Sequence, residues 1–128
     1  MARDFRKILA WQKADDLAVE LYKTTSVSFP KEERFGVTAQ LRSAAVSVAA
    51  NIAEGSGRRT SSDFRRFLYQ AQGSLSEVEY YLHLAHRLGY LNTADYDNLE
   101  QSRASVGRVL NGLIKSVDRQ IEGNNIRT

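Results

Sequence analysis

Residues 60–88 read TSSDFRRFLYQAQGSLSEVEYYLHLAHRL, and their spacing decides the fold. Apolar residues fall at Phe64, Leu68, Ala71, Leu75, Val78, Leu82 and Ala85. The steps alternate between four and three, a heptad seam that keeps one stripe facing a partner helix. No proline interrupts it. At about 1.5 Å per residue the segment spans roughly 40 Å, and a helix of that length with a narrow seam needs other long helices beside it.

Working outward, three more segments carry the same kind of pattern. Ala10, Ala14, Leu17 and Leu21 predict a helix over 9–25, its stripe widened by Trp11, Ala18 and Tyr22. Pro30 forces Phe29 out of helical geometry and suits the first turn of the next element, with Glu32 and Glu33 complementing its dipole. A second helix is predicted over 31–54, with Val37, Leu41, Ala44, Val48 and Ile52 on its core face. Its small residues, SAAVSVAANIAEG, allow close approach of a neighbour. Gly55 and Gly57 are read as its end. Thr60, with Ser61 and Ser62 as competitors, caps the seam helix, 61–88, which Gly89 stops. Asn92 or Thr93 caps a fourth helix, 93–121, whose seam Leu99, Val106, Leu110, Leu113 and Val117 is broken only by Arg103. Residues 1–8 read as a basic lead-in and 122–128 as a frayed tail. With no strand signal and short links, the chain is predicted to be all-α: one domain, 1–128, folded as an up-and-down antiparallel four-helix bundle.

The composition is that of an ordinary globular protein, 42% hydrophobic and 26% charged over 128 residues. Without cysteine, disulfides, thiolate metal sites and a cysteine nucleophile are excluded, which fits a reducing cytoplasm. No apolar run approaches the roughly 20 residues of a membrane span, and MARDFRKILAW lacks the apolar core of a signal peptide. Net charge is +3 and the pI about 9.3, a mild bias toward anionic partners.

The stretches WQKADDLAVELY, FPKEERFGVTAQLRSAAVSVAANIAEGSGR and FRRFLYQAQGSLSEVEYYLHLAHRLGYL, in this order, resemble the 23S ribosomal RNA intervening-sequence protein family over roughly residues 5–120. The NIAEG and GSLSE signatures carry the match; Val48-Ala49-Ala50 is the one visible departure. The resemblance implies a small bacterial four-helix bundle assembling as a homopentamer. It also implies kinship with the accessory protein of diversity-generating retroelements, which binds nucleic acid and a reverse transcriptase.

Four constellations could carry function. Arg58, Arg59, Arg65 and Arg66 against Asp63 give residues 56–66 a local +3, and Arg3, Arg6, Lys7 and Lys13 against Asp4 give residues 1–13 another +3. Arginines of a glycine-flanked loop at a helix start suit phosphate, and repetition around an oligomer would multiply them. No P-loop is present. No aromatic is interleaved for base stacking, so weak sequence preference is expected. Asn51 and Glu54, with Ser74 and Glu77, form two same-face pairs and read as a structural polar cluster rather than an acid–base site. Glu79, His83 and His86 share a face, but the spacing occurs once and lacks the Glu-x-x-His pairs of a di-iron bundle; no metal is expected. Tyr69, Gly73, Ser76 and Tyr80 lie off the seam. Periodicity leaves this stripe open between a flank of the core and a subunit interface. The resemblance favours the interface, for which Tyr69, Gly73 and Tyr80 are the candidates.

With no nucleophile–base pair, redox motif or nucleotide loop, no catalytic residue or cofactor is expected. The reading is a non-enzymatic oligomeric scaffold in the cytoplasm, binding RNA or DNA, with structured RNA favoured. The alternative is a protein–protein adaptor with no direct nucleic-acid contact.

Overall fold

The computed structural model describes residues 3–127, and the side chains up to residue 124. Met1 and Ala2 of the lead-in and Thr128 of the tail lie outside the described residues. Four helices follow in order: α1 (Leu9–Ser28), α2 (Val37–Ser56), α3 (Ser61–Arg87) and α4 (Thr93–Arg127). Short 3-10 turns, Phe5–Lys7 and Lys31–Glu33, precede α1 and α2. Each helix packs on its sequence neighbour and α4 closes back on α1, while among the described residues the backbones of the diagonal pairs do not come within 8 Å, Cα to Cα. The links 29–36, 57–60 and 88–92 are short, so consecutive helices run antiparallel. There is no strand among the described residues, and none of their helices is long and apolar enough to cross a membrane.

The α3 seam is buried at all seven positions, Phe64 to Ala85. Leu17, Leu21, Leu41, Val48, Ile52, Leu99, Val106, Leu110 and Val117 complete the centre. In α4 the stripe drifts: Ile114 is buried and Leu113 only partly. A straight helix turns slightly past a 3.5-residue repeat, so the inward position moves on by one late in a long seam. On α1, Tyr22 remains 44% exposed because Arg42 from α2 stacks on its ring, 4.6 Å from the centroid. Arg103, the polar break in the α4 seam, is bound by Glu100 at 2.8 Å and by Glu79 of α3 at 3.3 Å. Its hydrogen bond to Glu100 pushes its pKa up, against the opposing effect of burial.

Several boundaries differ from the sequence expectation. α1 runs three residues further, to Ser28, and stops at Phe29 before Pro30. α2 begins at Val37 rather than residue 31, because the backbone leaves helical geometry at Gly36 (φ −106°, ψ −118°). Glu33 is therefore not in the first turn of α2. It reaches forward instead: its Oε1 accepts from the Val37 N–H at 3.4 Å and its Oε2 from the Tyr90 hydroxyl at 2.8 Å. This joins the 29–36 and 88–92 links. A Cβ at Gly36 would collide with Glu33 Oε1, so the glycine makes room for the carboxylate. Gly55 does not end α2, which continues to Ser56. It is buried where a Cβ would lie 2.7 Å from Phe67 Cβ, and it permits the close approach of α2 and α3. The caps are Thr60, accepting from Asp63 N–H at 3.1 Å, and Asn92, accepting from Asp95 N–H at 2.7 Å. Gly89 stops α3 at φ +81°, where a side chain would be strained. The 122–127 segment is not frayed but continues α4: it holds no proline, and Gly123 and its asparagines weaken a helix without breaking it.

Candidate nucleic-acid interface

The two basic stretches meet at one end of the bundle. The Arg3 N–H donates to the Ser56 carbonyl at 3.3 Å, and Arg3 Nη1 donates to the Arg58 carbonyl at 3.1 Å. These bonds strap the lead-in across the α2–α3 corner. Arg3 also lies over the Phe64 ring, 4.3 Å from its centroid. The 3-10 turn that follows, capped by Asp4, carries Arg6 and Lys7. Arg3, Arg6, Lys7, Arg58, Arg59, Arg65 and Arg66 thus share one end of the molecule.

Most of these cations have internal partners. Arg58 pairs with Glu54 at 2.6 Å and with Asp63 at 3.8 Å. Arg66 pairs with Asp63 at 2.8 Å, Arg65 with Asp118 of α4 at 2.9 Å, and Arg6 with Asp4 at 3.6 Å. Arg59 and Lys7 are exposed and form no ion pair among the described residues. The acids leave an excess of cations, but a smaller one than seven bare side chains would give.

Aromatic rings do underlie the arginines, but none of them is placed to stack on a base. Arg58 and Arg66 lie over Phe67, 4.6 and 4.5 Å from its centroid. The signal was the FRRF run itself, in which heptad spacing accounts for Phe64 alone. Phe67 and Phe64 are buried, so they floor the guanidinium groups and offer no face to a base. An open groove of about 580 Å³ runs over this surface, lined by Gly57, Arg58, Arg59, Thr60, Ser62, Asp63 and Arg66. A larger groove, about 710 Å³, lies elsewhere, between α1 and α4. Its rim carries Lys13 and Arg108 against Asp16 and Glu20, so it favours neither sign of charge, and the arginine end is the better candidate for an anion.

The other constellations resolve differently. Asn51 and Ser74 do come together, through a residue the sequence reading missed: Ser47 Oγ accepts from Asn51 Nδ2 at 3.0 Å and from Ser74 Oγ at 2.9 Å. The bonds tie α2 to α3. Ser47 lies one turn before Asn51, and that spacing was its only signal. Glu54 does not join this group; it turns to Arg58. Glu77 is exposed and makes no hydrogen bond or ion pair among the described residues. Glu79, His83 and His86 do not converge. Glu79 faces Arg103, and His86 stacks on Tyr96 at 4.4 Å. No group of three His, Cys, Asp or Glu that could hold a metal occurs among the described residues. Tyr69 and Tyr80 are 50% and 56% exposed, and a Cβ on Gly73 would meet nothing within 4 Å. The stripe is therefore an outer face of α3 and not a flank of the core.

An all-α antiparallel bundle with a basic end is the class that fold and surface define. Residues 6–112 match the family described as the 23S rRNA-intervening sequence protein, and this chain belongs to that family. It is also similar to a solved structure of a protein of unknown function from the S23 ribosomal protein family of Bacteroides thetaiotaomicron. That pair shares 23% identity with a TM-score of 0.77, covering 84% of this chain and 99% of the other. No curated protein matches this chain.

Proposed function

We propose that this protein is a non-enzymatic, cytoplasmic scaffold that binds nucleic acid, with structured RNA favoured, through the arginines at the α2–α3 corner. The observation that carries this reading is the strap of Arg3 across Ser56 and Arg58. It brings Arg3, Arg6 and Lys7 of the lead-in beside the +3 stretch 56–66, in a chain whose total charge is only +3. The field is polarised along the bundle, as sequence-tolerant phosphate binding requires. Assembly into a homopentamer, through the outer face of α3 at Tyr69, Gly73 and Tyr80, would repeat that surface and make binding multivalent. The stripe's exposure supports that role, as does the family resemblance.

The test is a salt titration of RNA binding by wild type and the Arg58→Ala/Arg59→Ala double variant. Wild-type affinity should fall with a log–log slope of about −0.7 to −0.9 per phosphate contacted. The double variant should bind all sequences more weakly and with a flatter slope. Coincident curves, or no wild-type binding at low salt, would overturn the reading. One observation favours a second reading, the protein–protein adaptor: Arg58, Arg65 and Arg66 each already hold a carboxylate. Failure of the titration would leave that reading standing.

A further inference from the structure

The Asp63 carboxylate bridges two arginines of this surface. Its Oδ1 accepts from Arg66 Nε at 3.1 Å and Nη2 at 2.8 Å, and its Oδ2 lies 3.8 Å from Arg58 Nε. Both guanidinium groups are laid over Phe67. The ring is thus a second contact for each of them beside the carboxylate. Beside them, Arg59 lines the same groove and holds no acid.

We propose that Asp63 determines which anions the patch accepts: it excludes isolated phosphates and admits phosphodiester chains such as RNA. This inference rests on the nucleic-acid reading above. A lone phosphate arriving at Arg58 and Arg66 must displace a tethered carboxylate. It exchanges one anion for another and gains little. The displaced Asp63 stays within the same turn and repels the newcomer. A chain anchored first on Arg59 and Lys7 presents its next phosphate at high effective concentration. It can compete with an internal carboxylate where a free anion cannot. The stacking on Phe67 means the two forks need not be rebuilt when the carboxylate leaves.

The experiment measures binding of inorganic phosphate, a short RNA dinucleotide and a 20-nucleotide single-stranded RNA to wild type, Asp63→Asn and Glu54→Gln. An exposed ion pair is worth about 0.2–1 kcal/mol, so releasing Asp63 should tighten the dinucleotide by a factor of about 1.4 to 5. The salt slope should steepen by about 0.7, one further single-strand phosphate contact. The 20-mer should gain less, so the ratio of long to short affinity falls. Glu54→Gln removes the 2.6 Å partner of Arg58 but leaves Asp63 beside it, and should show a smaller effect in the same direction. Thermal unfolding of each variant controls for the loss of an acid at the start of α3. If wild type binds the 20-mer with a salt slope but Asp63→Asn binds the short probe no better, Asp63 is merely a helix-end acid and this inference falls alone. If no protein binds either RNA, both readings fall together.

Discussion

Gly55→Ala probes a close approach of α2 and α3. A Cβ there would stand 2.7 Å from Phe67 Cβ, 3.0 Å from Phe64 Cδ1 and 3.3 Å from the Phe64 carbonyl oxygen. Ordinary carbon contacts sit at about 3.5–4.0 Å, so α2 and α3 must part by roughly 0.8 Å or more. No rotamer change relieves this, because Phe67 Cβ is fixed to the α3 backbone. Overpacking of a filled core costs about 1–3 kcal/mol, while Gly→Ala within a helix returns about 0.8–1 kcal/mol. The net is a loss of up to about 2 kcal/mol. For a chain between the size classes for which the conversion is known, that lowers Tm by up to roughly 10 °C. Gly112→Ala supplies the control. It sits mid-α4 with nothing within 4 Å of its Cβ, so the helix-propensity gain stands alone and Tm should rise by about 3–5 °C. Both are read by thermal unfolding followed by circular dichroism at one protein concentration, since assembly would make Tm concentration-dependent. A Gly55→Ala protein as stable as wild type would refute the packing argument. So would equal shifts for the two variants.

Gly73→Leu should break assembly while leaving helicity intact, because the position is open within the protomer; light scattering that reports a 14.4 kDa species for wild type at micromolar concentration would reject the oligomer itself. The Tyr90 hydroxyl is held above its usual pKa of 10.0, first by its hydrogen bond to Glu33, then by burial and the Glu33 and Glu32 charges. A raised folded-state pKa means that this contribution is complete below pH 10 and is lost as pH rises through the folded value. Stability should therefore decline more steeply above pH 10 in wild type than in Tyr90→Phe, and parallel pH profiles would exclude the bond as the cause.

The fold was legible because heptad spacing is a local property of the sequence. Phe64 to Ala85 could be assigned inward from the steps alone, and every position is buried. What was not legible depended on residues distant in the chain or on backbone geometry. Gly36 and Glu33 look like helix interior until the carboxylate is seen to need the space that a Cβ would take. Gly55 looks like a terminator because glycine commonly ends helices, yet its reason is the α3 backbone twelve positions on, at Phe67. Ile114 replaced Leu113 through slow drift that no single heptad displays. At the basic end, the sequence shows the arginines but not their partners. Asp118 lies 53 residues from Arg65, and only folding makes it a counter-ion.

The core and the basic end are one mechanical unit. Gly55 lets α3 approach α2; the approach sets Phe67 at the edge of the core. Phe67 then floors Arg58, from the end of α2, and Arg66, from the start of α3. Asp63 joins the two guanidinium groups across that ring. A guanidinium on a free loop loses several rotatable bonds' worth of entropy when it grips a phosphate. These two have lost much of it already, in folding. The arrangement therefore trades net charge for order: Asp63 and Glu54 reduce the field of the patch, yet the forks they hold are fixed in plane and spacing. Under the proposed nucleic-acid reading, raw electrostatic attraction would fall to Arg3, Arg59 and Lys7, which pair with no acid among the described residues, and geometric selection to the pair on Phe67. Those two tasks pull in opposite directions on a single side chain, since a partner that orders an arginine also neutralises it. Dividing them between adjacent residues, Arg58 and Arg59, would let one corner of a small bundle do both.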